Sequence, residues 1–279
     1  MDLIQALILG LVEGLTEYLP VSSTGHLLLA QRIMGIGSSD AADAFAICIQ
    51  AGAILAVLGL YRVRVGHMVL GVLGRDEAGR KLAWNILAAF IPAAALGFVL
   101  EKTIKKFLFG GNEWGLWPVV AAWFVGGAAI LAVSFVRRRK SGQPQKFLSL
   151  DDLTVRMAVI VGVAQCLAMW PGVSRSLITI VGGLLVGLSL SAAVEFSFLL
   201  GVLTLSAATA YDALKHGREM LVAFGPLPLA VGFFAAWISA VLAVKWMVGY
   251  LNKHGMDIFG WYRIALAIAV TVWLLSSHP

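Results

Sequence analysis

Between Glu13 and His26 the sequence reads EGLTEYLPVSSTGH, setting two carboxylates, the hydroxyls of Ser22, Ser23 and Thr24 and an imidazole inside an otherwise apolar stretch. Glu13 and Glu17 are four residues apart and share one face of a helix. Pro20 lacks a backbone donor and ends that helix. Ser22 is then placed to cap a second helix, with Ser23, Thr24 and His26 in its first turn. The free N–H groups and partial positive charge of a helix start suit an anion. Ser23 and His26 are three apart and so could lie on one face, within hydrogen-bonding reach. A second cluster, Trp170-Pro171-Gly172-Val173-Ser174-Arg175-Ser176, repeats the design with a break, a cap at Ser174 and a further hydroxyl at Ser176. Arg175 adds a guanidinium whose fork fits two phosphate oxygens, and an arginine within so apolar a segment requires an anionic partner. Two helix starts, one arginine and the hydroxyls of Ser22, Thr24, Ser174 and Ser176 describe a phosphate site.

The carboxylates have the wrong sign for such a ligand. A diphosphate carries about three negative charges, and two ionised glutamates beside it repel it strongly at low dielectric. A divalent cation, Mg²⁺ or Ca²⁺, held by Glu13 and Glu17 resolves the conflict, because hard cations prefer all-oxygen surroundings. A glutamate kept protonated by burial and by its like neighbour resolves it too; the cation is the favoured expectation. Asp43, Gln50, Gln165 and Glu195 read as supporting or helix-packing groups, and Gly182, Gly183 and Gly187 as points of close helix approach. Cys48 and Cys166 show neither metal-ligand nor redox spacing.

The elements that must carry these groups lie in a bilayer. The chain of 279 residues is 60% hydrophobic and 13% charged, with a mean hydropathy of +0.89, whereas soluble domains carry roughly 25% charged residues. Hydropathy gives six spans, about 42–61, 84–100, 117–136, 192–211, 227–248 and 261–276, each long enough to cross as helix. Two further apolar stretches, about 2–30 and 155–188, are broken at Leu19-Pro20 and at Trp170-Pro171-Gly172. Irregular backbone at membrane depth is tolerated only where it is buried in protein or lines a wet cavity. The expected fold is an all-α polytopic membrane protein with six transmembrane helices plus two re-entrant helical hairpins, a single integral membrane domain over 1–279. Shifting the sequence by 152 positions, as from Ser22 to Ser174, brings Gly10 onto Gly162, Val21 onto Val173 and Glu13 onto Gln165. Two repeats follow, about 1–140 and 150–279, and three spans in each half make this an inverted-topology repeat. Arginine and lysine gather in the 62–83 and 137–156 loops and around 249–260, where Lys245 and Arg263 flank Lys253, so that these loops are expected to be cytoplasmic. The 101–116 and 212–226 loops balance acids against bases. The N-terminus lacks the positive region and cleavage site of a cleaved signal peptide. The basic residues sit between spans rather than in one patch, which argues against nucleic acid as a partner.

The two clusters together resemble the undecaprenyl-diphosphatase family, also called bacitracin-resistance proteins. Its acidic-or-Gln-x-x-x-Glu element running into P-V-S-S-T-G-H stands here at Glu13 to Glu17 and Pro20 to His26. Its P-G-x-S-R-S-x-x-T stands at Pro171 to Ser176 with Thr179, and Glu195 to Leu200 is also similar. Leu177 departs from the glycine expected after S-R-S. The resemblance covers essentially the whole chain. It implies hydrolysis of undecaprenyl diphosphate to undecaprenyl phosphate and inorganic phosphate, which recycles the lipid carrier of peptidoglycan synthesis and confers bacitracin resistance. It also implies a divalent-cation requirement and a multi-pass protein of the bacterial inner membrane, its site open to the periplasmic face. Glu13, Glu17, Ser23, His26 and Arg175 carry over as the essential set, with Thr179 among the binding residues. Ser23 is the preferred nucleophile, with His26 or a glutamate taking its proton; direct attack by water is the competitor. Undecaprenyl diphosphate and the lipid bilayer are the implied partners, and a homodimer is left open. Two rivals use part of the same set. A lipid-phosphate flippase needs the arginine and helix starts but no nucleophile, and an intramembrane serine protease needs no paired glutamates.

Overall fold

The computed structural model describes residues 1–37, 40–104, 115–140 and 147–276, with backbone alone at 40–44, 100–104, 140 and 215–223. The described chain is helical apart from an isolated bridge between Leu148 and Leu188. Its helices are α1 (Leu3–Thr16), α2 (Ser23–Ile33), α3 (Asp40–Leu60), α4 (Arg62–Val72), α5 (Glu77–Ile104), α6 (Trp117–Lys140), α7 (Val155–Gln165), α8 (Arg175–Leu185), α9 (Leu190–Phe224), α10 (Pro226–His254) and α11 (Asp257–Ser276). A 3₁₀ turn, Cys166–Met169, follows α7.

Helices α5, α6, α9, α10 and α11 are long and apolar enough to cross a bilayer, and α3 taken with α4 makes a sixth. Large apolar side chains such as Phe98, Phe124, Leu242 and Val272 face outward, as lipid contact allows. The chain is a multi-pass membrane protein with an all-α fold. The two stretches broken in the sequence are short helix pairs, α1 with α2 and α7 with α8, each member packed on the other. The 62–83 region expected as loop instead contains α4, turned 83° from α3. Arg62, Arg64 and His67 lower its hydropathy and hide a helix that lies against α5. The approach there is close, since a Cβ on Gly79 would stand 1.9 Å from the His67 carbonyl. Parts of the 101–116 and 137–156 loops, and the side chains of Asp43 and of most of 212–226, lie outside the described residues.

Glycines set the spacing of the short helices. A Cβ on Gly10 of α1 would meet the Gly232 carbonyl of α10 at 2.3 Å, and one on Gly162 of α7 the Ala89 carbonyl of α5 at 2.2 Å. Gly183 likewise brings α8 close to Ala193 of α9, whereas Gly182 makes ordinary contacts and Gly187 forms the turn after α8. The main core surrounds α8 and α9, with Leu177, Ile180, Phe196, Phe198 and Leu200 fully buried around Tyr18 from the first break. Both breaks are therefore held in the middle of the packed helices.

Candidate active site

Each break ends in a serine whose backbone has a positive φ, Ser22 at φ 76° and Ser174 at φ 80°. Among the described residues they are the two non-glycine positions with positive φ, a conformation that costs about 1–3 kcal/mol unless its surroundings enforce it. Both serines cap the following helix as the sequence predicts. Ser22 Oγ accepts from the Gly25 N–H at 3.4 Å and Ser174 Oγ from that of Leu177 at 3.3 Å. Gly172 turns the second break at φ 91°, pressed so closely on α6 that a Cβ would sit 2.8 Å from Val119 Cα.

The enforcement comes from a residue that sequence reasoning treated as a loop-flanking cation. Arg263 of α11 is completely buried. Its guanidinium donates to the Pro20 carbonyl of the first break at 3.2 Å and to the Gly172 carbonyl of the second at 2.8 Å. It also donates to the Ala122 and Trp123 carbonyls of α6. One side chain thus joins both breaks to the same helix. The signal was present in the sequence, because an arginine two residues inside an apolar span needs buried partners.

Glu17, at the end of α1, organises the polar cluster. The Ser23 hydroxyl donates to Glu17 Oε2, and Arg175 Nη2 donates to Glu17 Oε1 at 3.1 Å. Glu17 is thus the anionic partner that Arg175 requires, while Glu195 is taken by Arg64 at 2.7 Å. Arg175 Nη1 donates to the Ser197 carbonyl at 3.0 Å, and the guanidinium lies 5.3 Å from the centre of the Tyr18 ring. The Glu13 carboxyl is buried one turn earlier on α1, and the Arg175 guanidinium pairs with Glu17.

A cavity of about 630 Å³ opens beside this cluster. Its lining includes the polar Glu17, Ser22, Ser23, Thr24, Ser174 and Arg175, with Asp212 of α9, and the apolar Phe90, Phe98, Met169 and Leu205. Gln50 and Gln165 also line it, whereas Glu13, His26, Ser176 and Thr179 sit off the cavity. His26 does not bond to Ser23: its Nδ1 is 2.7 Å from the Ser22 carbonyl, and its Nε2 is 2.7 Å from the Tyr262 hydroxyl. Its ring lies parallel to that of Tyr262, beside Trp123. Ser176 is buried and donates to the Leu19 carbonyl at 2.8 Å, tying the second break to the first. Thr179 is buried too and reaches the Arg175 carbonyl and Ser197 Oγ. Leu177, where glycine was expected, fits without distortion as a core residue. Among the described residues no three His, Cys, Asp or Glu side chains gather into a metal-binding group.

The arrangement is suited to an anion that joins a polar head to an apolar tail. The head meets a guanidinium, two helix starts and a hydroxyl hydrogen-bonded to a carboxylate; the tail meets the walls formed by α5 and α9. Residues 6–269 match the model of the bacitracin resistance protein BacA family. An undecaprenyl-diphosphatase of Sorangium cellulosum is 46% identical over 96% of this chain and 85% of its own length. Undecaprenyl-diphosphatase 2 of Rhodospirillum rubrum is 44% identical over 97% of this chain and 95% of its own. An undecaprenyl-diphosphatase of Methylococcus capsulatus is 45% identical over 99% and 96%.

Proposed function

The chain belongs to the bacitracin resistance protein BacA family, and we propose that it hydrolyses undecaprenyl diphosphate to undecaprenyl phosphate and inorganic phosphate. The observation that carries the reading is Glu17, which accepts from Ser23 and from Arg175 at the edge of one cavity. Arg175 and the N–H groups opening α2 and α8 bind the terminal phosphate and stabilise charge as it develops, which is most of what phosphoryl transfer asks of a protein. Ser23 Oγ attacks the terminal phosphorus while its proton passes to Glu17 Oε2. The bond to the bridging oxygen breaks, and undecaprenyl phosphate leaves with that oxygen. Water then cleaves the phosphoserine and releases inorganic phosphate. His26 holds the Ser22 carbonyl and so orients the start of α2.

A divalent cation, Mg²⁺ or Ca²⁺, fits the donor set, since Glu13 and Glu17 are two carboxylates one helical turn apart and Arg175 pairs with Glu17. Mg²⁺ in particular binds through one or two carboxylates completed by substrate phosphates. Such an ion supplies charge neutralisation at the phosphate oxygens. The prenyl tail lies along the apolar wall between α5 and α9. Contacts between helices follow the proposed repeat: α1 packs on α10 as α7 packs on α5, and α3 on α10 as α9 on α5. That exchange supports two inverted halves over about 1–140 and 150–279, with α1–α2 and α7–α8 as re-entrant hairpins. The site is read as opening to the periplasmic face of the inner membrane, and the oligomeric state, homodimer included, is left to measurement. Phosphate release from a prenyl diphosphate by the purified protein in detergent, with and without EDTA, tests the proposal. Release that EDTA abolishes and Mg²⁺ restores is expected; absence of release with any divalent cation overturns it.

A further inference from the structure

Gln165 ends α7 at the wall of the cavity and is only 3% exposed. Neither its amide nitrogen nor its amide oxygen has a hydrogen-bond partner. Buried polar groups in folded proteins are satisfied with few exceptions, and those exceptions concentrate where a ligand or function completes them. Arg175 Nε, on a residue lining the same cavity, is likewise buried and unpartnered. Two sets of unmet polar atoms therefore border one volume, next to the Glu17–Ser23 pair. A packing role does not account for Gln165. A glutamine kept to join α7 to a neighbour would spend its amide on that neighbour's backbone, as Asn85 does on the Leu153 carbonyl at 2.9 Å.

The sequence correspondence adds a chemical reason. Gln165 stands where the first copy has Glu13. A carboxylate here would add negative charge facing a diphosphate. An amide of nearly the same shape offers an N–H donor in its place.

We propose that Gln165 is a substrate-binding residue that donates its carboxamide N–H to a phosphate oxygen of the lipid diphosphate, in the cavity that Glu17 and Arg175 also line. The assignment rests on the hydrolase reading given above. It is tested with the native protein, Gln165→Met and Gln165→Glu, each purified whole in detergent. Phosphate release from a prenyl diphosphate gives kcat and KM; thermal unfolding is followed alone and with a non-hydrolysable prenyl methylenediphosphonate.

Gln165→Met removes the orphaned amide, so its Tm is expected to equal or exceed that of the native protein, while kcat/KM falls about 10- to 100-fold, the loss of one hydrogen bond to a charged oxygen. Gln165→Glu keeps the shape, turns the donor into a repelling oxygen and falls at least as far. Both variants gain less Tm from the diphosphonate than the native protein does. A Gln165→Met protein with lowered Tm and native kcat/KM overturns the proposal in favour of packing. If Gln165→Met does not fold, a Gln165→Glu protein with native kcat/KM overturns it, and one with reduced kcat/KM supports it. If the native protein releases no phosphate, the hydrolase reading itself has failed. The diphosphonate shift then decides on Gln165 alone: a native shift lost in the variants supports binding, and equal shifts exclude it.

Discussion

Replacing Arg263 by methionine tests whether one buried side chain holds the two halves of the site together. The substitution leaves the Pro20 and Gly172 carbonyls without the guanidinium that donates to them. Those of Ala122 and Trp123 lie inside α6 and keep their helical partners. Orphaning a buried carbonyl costs about 1–3 kcal/mol, so the pair costs roughly 2–6 kcal/mol. Removing a desolvated guanidinium returns part of that, leaving a net loss of about 2–4 kcal/mol. The catalytic loss should exceed what stability explains. Ser22 and Ser174 hold unfavourable backbone conformations only while their surroundings enforce them, and relaxation there moves Ser23 relative to Arg175. A displacement near 1 Å costs on the order of 100-fold in rate. Denaturant unfolding in detergent gives the first quantity, and kcat for phosphate release from folded variant gives the second. Arg263→Lys, which can reach one break but not both, should fall between. A methionine variant that unfolds within about 0.5 kcal/mol of native and turns over at the native rate would refute the reasoning.

Ser23→Ala removes the proposed nucleophile and should lower kcat by at least about 10³-fold, with loss of any phosphoserine trapped by rapid quench; substantial residual activity would assign the attack to water. Ser176→Ala breaks the bond to the Leu19 carbonyl and should lower stability by about 1–2 kcal/mol with KM unchanged, because the hydroxyl faces away from the cavity. Asp76, outside the spans, is held below the ordinary carboxylate range first by the Gly79 N–H and then by His67. Its stabilisation is therefore complete above its unfolded pKa of about 3.9 and is lost as pH falls through the lower folded value. An unfolding series carried downward from about pH 4 should show a slope that Asp76→Ala flattens.

Much of this molecule was legible in its residue order, for reasons that differ by element. Long apolar runs admit one solution in lipid, so the spans matching α3, α5, α6, α9, α10 and α11 could be read from hydropathy alone. The caps at Ser22 and Ser174 were legible because a proline or proline-glycine break followed by serine leaves few alternatives for the next helix start. Helix α4 was hidden because its charges mimic a loop, and hydropathy does not register a helix that turns aside at Tyr61. Spacing placed Ser23 and His26 on one face, but tertiary contacts decided otherwise: Tyr262, more than two hundred residues away, takes His26, and Glu17 takes Ser23 across the break. That Arg263 needs buried partners was legible from its place inside an apolar span, but which partners it has, and what Gln165 lacks, was beyond sequence reading for one reason. Each is defined by what surrounds it, four carbonyls in one case and unmet hydrogen-bonding atoms in the other.

The position of Arg263 also sets an order in time. Synthesis and insertion proceed from the N-terminus, so the break at Pro20 enters the membrane first and the break at Gly172 long after it. The side chain that binds both arrives only with α11. Until then the proposed nucleophile, Ser23, and Arg175 lie in the same chain without the side chain that ties their two breaks to one helix.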